Sequence, residues 1–233
     1  EEALIGYEYI ISQSASRFTE TSLSKASDIY FNKKGYQKAL ETYEKLEQSA
    51  EIKSNILKSI DGQMRCNYIL KNNEEAKNAA SRILMNDKVT SDQINFAHLI
   101  IAKSNYALGD IEAAKREFQI ASRLSNDVIG AEAKYFVAQI DYEEGNFEEA
   151  EKTIFELIKQ FSAYDYWVAK SFILLSDVYQ KVDNSFQAKQ TLQSIIDNYD
   201  GEDLKKIAQD KLKLIIEAEE TEEVEEPKET GEN

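Results

Sequence analysis

Proline is nearly missing from this chain: the single one among 233 residues is Pro227. Proline breaks helices and punctuates loops, so 226 residues without it point to helices joined by short turns. Cysteine and histidine occur once each, as Cys66 and His98. One cysteine excludes an internal disulfide, and one of each is too few for a Cys/His zinc site. A lone histidine leaves serine-hydrolase chemistry without a second base to arrange around it. No glycine-rich phosphate loop is present, and no apolar run approaches the roughly 18 residues that a membrane helix needs. Positive charge is scarce as well. Twenty-eight Lys and Arg face 43 Asp and Glu, a net charge of −15. Such a surface repels phosphate backbones and anionic lipid, so neither nucleic acid nor membrane insertion by this segment is expected. The acidic runs, such as Asp141, Glu143 and Glu144 beside Glu148, Glu149 and Glu151, read as solvated faces rather than as a facing glycosidase pair. The expectation is therefore a chain that is not an enzyme, with no metal and no cofactor.

What is present is a repeat. Aligning one small residue per unit gives Ala3, Ala39, Ala76, Ala114, Ala150 and Ala188, spaced 36 to 38 residues apart. Four positions on stand Tyr7, Tyr43, Ala80, Phe118, Ile154 and Leu192, and three beyond those Ile10, Leu46, Ile83, Ala121, Leu157 and Ile195. Small, large, large at i, i+4 and i+7 is one face of an α-helix. A second small position, Ser27, Ala102, Ala138 and Ser176, marks a preceding helix in the repeats, with Met64 as the departure in repeat two. The turns contain Gly35, Asn72, Gly109, Gly145 and Asn184, residue types that tolerate the left-handed conformation or cap the next helix. Links of a few residues force antiparallel neighbours.

The predicted fold is an all-α, right-handed superhelical α-solenoid of antiparallel helix pairs with a C-terminal capping helix. Residues 1–15 read as the second helix of an incomplete repeat, whose in-register Ala3 suggests a fragment of a longer chain. Repeats follow at 16–50, 51–89, 90–126, 127–164 and 165–200. A capping helix is expected over 201–218, with its stripe at Leu204, Ile207, Ala208, Leu212 and Ile215. Residues 217–233 hold nine Glu and one Lys, which is −8 of the −15, and 219–233 are expected to be a disordered acidic tail.

The last unit reads Phe172-x-x-Leu175-Ser176-x-x-Tyr179, then Ala188-x-x-x-Leu192. It resembles the tetratricopeptide repeat, with Phe for the leading Trp and Ser for the small Gly. A closer resemblance is to large tetratricopeptide proteins of Bacteroidetes bacteria. It is carried by Arg17-Phe18-Thr19-Glu20, Ile60-Asp61-Gly62-Gln63-Met64-Arg65-Cys66, Gly130-Ala131-Glu132-Ala133-Lys134-Tyr135 and the segment from Tyr166 to Asp177. In that family the matching segment is similar to the C-terminal part of a much longer chain. The resemblance implies a protein-binding scaffold of the periplasm or outer membrane, and it supplies no catalytic residues.

First helices line the concave face of such an array. Two rows of candidates follow. One is Phe31, Tyr68, Tyr106, Tyr142 and Gln180; the other is Asp28, Arg65, Lys103, Gln139 and Asp177, with Tyr135 adjoining. Tyr68, Tyr106 and Tyr142 each follow a polar residue (Asn67, Asn105, Asp141) where units one and five carry Tyr30 and Tyr179. One residue is about 100° around a helix, which turns these rings toward the groove. The rows read either as an aromatic ladder with polar selectors for a protein or peptide segment, or as rings filling gaps between helices. A glycan-binding or enzyme-accessory module using the same aromatic and acidic face is the alternative. Positions equivalent to a carboxylate clamp (Ser24, Asp61, Leu99, Tyr135, Ile173) hold no base. His98 and Cys66 read as packing residues.

Overall fold

A computed structural model describes residues 2–225. Among these there are twelve α-helices and no strand. They are α1 (Glu2–Ser12), α2 (Thr19–Asn32), α3 (Tyr36–Ser49), α4 (Lys53–Ile69), α5 (Asn73–Leu84), α6 (Ser91–Leu108), α7 (Ile111–Leu124), α8 (Val128–Glu143), α9 (Phe147–Gln160), α10 (Asp165–Lys181), α11 (Ser185–Asn198) and α12 (Glu202–Glu225). The protein is an all-α array of helix pairs. The chain divides into two compact units, Glu1–Leu124 and Ser125–Asn233, each with its own interior.

The turn inside every pair is built the same way. A residue in the left-handed conformation ends the first helix: Lys34 (φ 62°), Lys71 (66°), Gly109 (84°), Gly145 (79°) and Asp183 (55°). The N–H of the next residue then reaches back five positions, Gly35 to Tyr30, Asn72 to Asn67, Asp110 to Asn105, Asn146 to Asp141 and Asn184 to Tyr179, all at 2.8 to 3.0 Å. This is the longer bond of a Schellman closure. The carbonyl of that same residue accepts the N–H of the small alanine four positions on, at Ala39, Ala76, Ala114, Ala150 and Ala188. One backbone circuit thus closes the first helix and opens the second.

In the first two repeats the left-handed residue is lysine, and Gly35 and Asn72 lie at φ −79°. The glycine of repeat one therefore sits one place after the position that strains a side chain. A non-glycine residue costs roughly 1 kcal/mol there. Lys34→Gly is expected to raise the denaturation midpoint by an amount corresponding to up to about 1 kcal/mol, partly offset by the looser unfolded chain. A lowered midpoint would show that the lysine stem contributes more than the strain removes.

The five aligned alanines, Ala39 through Ala188, are completely buried. Ala3 of α1 is exposed, and no residue of α1 is buried. In unit one, Met64 fills the place that Ser27 and Ala102 leave small, and it is fully buried. Room for it comes from α5, which offers Ala76, Ala79 and Ala80 to the same cluster. Ala80 stands where other repeats carry Tyr43, Phe118, Ile154 or Leu192. A large residue on the first helix and a small one on the second conserve the packed volume. In unit two, one cluster joins Ala131, Tyr135, Ala138, Ala150, Ile154, Leu157, Phe161 and Trp167, and another joins Ala188, Leu192, Ile195, Leu204, Ala208 and Ile215.

The C-terminal end differs from expectation. The last helix runs to Glu225, seven residues past 218, so residues 219–225 are helical rather than disordered. Glutamate is a good helix former. The added turns are held by the Thr221 hydroxyl on the Glu217 carbonyl at 2.7 Å and by Lys189 of α11 on Glu219 at 2.5 Å. The rest of the expected tail, 226–233, lies outside the described residues. Ile207, assigned to the apolar stripe, is 43% exposed, whereas Leu204, Ala208 and Ile215 are buried.

Candidate functional site

The polar substitutions at the tyrosine position have a structural consequence. Asn67, Asn105 and Asp141 are buried, while the tyrosines that follow them, Tyr68, Tyr106 and Tyr142, are half-buried. Tyr30 and Tyr179 keep the inward position and send their hydroxyls back to the preceding second helix, Tyr30 to Glu8 and Tyr179 to Glu151 at 2.8 Å. Asn67 instead accepts the side-chain amide of Asn72 at 3.1 Å, inside its own turn.

In unit one Asp28, Arg65, Tyr68 and Lys103 are engaged with a neighbouring repeat. Asp28 on α2 accepts Lys58 of α4 at 2.6 Å, and Tyr43 donates to it at 3.2 Å. Phe31 stands edge-on to Tyr36, 5.4 Å between centroids. Arg65 on α4 bonds Asp61 at 2.7 Å and lays its guanidinium 4.3 Å from the Phe96 ring of α6. Lys103 on α6 lies 5.1 Å over the Tyr68 ring, and Lys71 lies 5.5 Å from the same ring centre. Tyr106 is half-buried on the same helix.

In unit two, Tyr135 is buried and donates to Gln139 at 2.7 Å, and Gln139 donates to Glu143 at 2.7 Å. Tyr142 packs on Phe147 at 5.8 Å. Burial, and then the nearby Asp177 charge, push the Tyr142 hydroxyl above its ordinary pKa. Asp177 on α10 accepts Lys211 of α12 at 2.6 Å, an ion pair that ties the last helix to α10. Gln180 donates to Ser185 at 3.2 Å.

Both readings of the rows therefore have physical content. The rings and charges sit on first helices, and within each unit they also stitch neighbouring helices together, α2 to α4 and α4 to α6 in one, α8 to α10 and α10 to α12 in the other. The stitching lysines, Lys58 and Lys211, were not among the candidates, and nothing in their spacing marks them. The sequence also missed Glu20. Its carboxylate accepts the N–H groups of Glu51 and Ile52 at 3.3 and 3.1 Å and the side-chain amide of Asn55 at 2.8 Å. It thus caps α4, which has no side-chain cap of its own. The Asn55 bond is the main cause that holds Glu20 below the usual carboxylate range.

One further cluster is denser than either row. Lys170 of α10 places its ammonium 4.8 Å from the Tyr135 ring centre, 5.1 Å from Trp167 and 5.7 Å from Tyr166. Three of the four members were visible only as letters in the stretch from Tyr166 to Asp177. The one sequence signal for them was the Tyr166-Trp167 pair, which holds the only Trp of the chain.

His98 bonds Glu117 of α7 through Nδ1 at 2.6 Å and is half-buried, a packing role with a polar partner. Cys66 is fully buried, and burial pushes its thiol up to about 12. Among the described residues no three His, Cys, Asp or Glu are grouped to hold a metal ion, and no helix is long and apolar enough to cross a membrane. A hollow of about 770 Å³ lies between the start of α4 and the α5–α6 turn, lined by Ile52, Ile56, Leu57 and Lys88.

Two half-buried tyrosines and the buried Cys66 carry a pH prediction. Tyr179 is raised to about 12, by burial first and then by Glu151, and Tyr30 to about 12, by its bond to Glu8 first. A group whose pKa rises on folding stabilises fully below its unfolded value and loses that contribution as pH climbs to the folded one. The unfolded values are 9.0 for Cys66 and 10.0 for tyrosine. Stability should hold level to about pH 8.5 and fall between about pH 9 and 12, by at most about 1.4 kcal/mol per pH unit for each group. Urea midpoints measured from pH 7 to 11 test this. Cys66→Ala should remove the part of the decline that begins below pH 10.

These helix pairs, with small residues at the crossing points and a shared turn circuit, define the tetratricopeptide-repeat fold. Solved structures place the chain among particular examples. It is similar to a tetratricopeptide repeat protein from Parabacteroides merdae, at 15% identity, 93% of this chain, 80% of that one and a TM-score of 0.66. It is similar to the C-terminal part of a tetratricopeptide protein from Cytophaga hutchinsonii, at 16% identity, covering 84% and 80%, with a TM-score of 0.62. A third similar structure is YrrB, a tetratricopeptide protein with an unusual peptide-binding site, at 19% identity, covering 84% and 100%, with a TM-score of 0.60. No protein-family model matches the sequence, and a search of curated proteins finds no match. At such identities the likeness is one of fold.

Proposed function

We propose that this chain is a non-catalytic scaffold that holds a protein or peptide segment along the face of its first helices, within a bacterial envelope assembly. The observation that carries the reading is the set of half-buried rings beside charged groups on consecutive first helices: Tyr68 with Lys103 in unit one, and Tyr142 with Asp177 in unit two. Rings with a polar edge supply contact area at low entropy cost, and neighbouring charges supply register. The fold is one on which at least one similar structure carries a peptide site. The envelope setting rests on the resemblance to Bacteroidetes proteins.

The test combines Tyr106→Ala and Tyr142→Ala. The far-ultraviolet signal and melting temperature should stay near wild type, while capture of a single stoichiometric protein from native membranes is lost. Collapse of the melt would show that the rings are packing elements. Retention on a polysaccharide column that disappears with Tyr142→Ala would overturn the protein-scaffold reading in favour of a glycan.

A further inference from the structure

We infer that Tyr135, Tyr166 and Trp167 form a cation cage for an arginine side chain of the partner segment, and that Lys170 is its built-in competitor. The inference rests on the scaffold reading and adds the chemistry of what is held. Three rings surround one ammonium at 4.8, 5.1 and 5.7 Å, inside the range where a ring quadrupole attracts a cation. Two walls are fixed. Tyr135 and Trp167 are 7% and 9% exposed, lie 5.5 Å apart and belong to the unit-two core. The third wall, Tyr166, stands edge-on to Trp167 at 5.1 Å and is 42% exposed, so the cage has a solvent side through which a ligand can enter.

The ammonium that now fills the cage is exchangeable on physical grounds. An ammonium is compact and strongly hydrated, so Lys170 regains its water shell when it leaves. A guanidinium is planar, more weakly hydrated and stacks on aromatic faces, so it loses less on entering. Exchange therefore favours arginine, and the net charge of −15 draws cationic segments toward the chain. Lys170 competes from a tether, at high effective concentration. That lowers the affinity of the resting cage and keeps capture reversible.

Trp167 is the only tryptophan, so its fluorescence reports on this cage alone. The probes are a short acetylated peptide with one arginine and the same peptide with citrulline, which keeps the shape and removes the charge. Lys170→Ala should bind the arginine peptide about tenfold more tightly than wild type, with saturable change in Trp167 emission. The citrulline peptide should give no saturable change. Tyr166→Ala in the Lys170→Ala background should abolish the gain, and because Tyr166 stands outside the buried core the helical signal should not change. Should Lys170→Ala fail to fold, Lys170→Gln keeps the stem and carries the same expectation. Equal responses to arginine and citrulline, or no saturable response in a folded Lys170 variant, would overturn the cage. If the cage fails while partner capture stays sensitive to Tyr106 and Tyr142, only the cage falls. If arginine binds but no partner is captured, the scaffold reading falls instead.

Discussion

Phe161→Ala is expected to lower stability by about 3–5 kcal/mol, the range for deleting a buried aromatic ring. Phe161 ends α9, is 1% exposed and packs in the cluster that holds Ala131, Tyr135, Ala150, Leu157 and Trp167. Its backbone N–H bonds the Leu157 carbonyl at 2.7 Å, and alanine keeps that bond. The loss is therefore the ring alone: its transfer from water and the contacts of its lining. Few neighbours can collapse into the space, because Ala131, Ala138 and Ala150 have no side-chain length to extend. Denaturant unfolding followed by Trp167 fluorescence reads the effect within the same cluster. A loss under 1 kcal/mol would mean that the α8–α9 interior relaxes far more than its small residues allow.

Gly130→Ala is expected to be nearly as damaging, by about 3 kcal/mol, for the opposite reason. Gly130 lies in the first turn of α8, buried, and a β-carbon there would stand 2.0 Å from the Ser125 carbonyl oxygen and 2.9 Å from Phe161 Cζ. The ring could yield by a few tenths of an ångström. The carbonyl could move only by opening the cap, in which Asp127 accepts the N–H of Ile129 at 2.7 Å and of Gly130 at 3.4 Å. Overpacking typically costs 1–3 kcal/mol, and a backbone obstacle puts this case at the upper end. Adding Phe161→Leu should not restore the loss. Recovery in that double variant would show that the ring, not the carbonyl, excludes the side chain.

Much of the architecture was legible because it is local. Helix pairing follows from a 3.6-residue period, and the small alanine every 36 to 38 residues marked positions that are completely buried in all five pairs. The turns were located correctly, and Gly109 and Gly145 are left-handed as their residue type suggests, but in the first two repeats Lys34 and Lys71 take that conformation and Gly35 does not. Residue type misled there because a repeated backbone circuit can hold a lysine where an isolated turn would select glycine. Composition misled again at the C-terminus. A glutamate run reads as solvated chain, yet through Glu225 it continues the last helix, with Lys189 on Glu219 and the Thr221 hydroxyl bonded within it.

For the candidate site the division is sharper. That Tyr68, Tyr106 and Tyr142 are rotated off the inward position followed from counting residues around a helix. What those rings and charges touch did not. Asp28 meets Lys58 across 30 positions of sequence, Asp177 meets Lys211 across 34, and Lys170 enters a cage one wall of which comes from α8. The sequence by itself determined the helices, their pairing and the face each turns inward, since these depend on neighbours three to five residues away. Only the tertiary structure decided which side chains of successive first helices meet, because that depends on the few ångströms of separation and the rotamers at each crossing, for which no period exists in the chain.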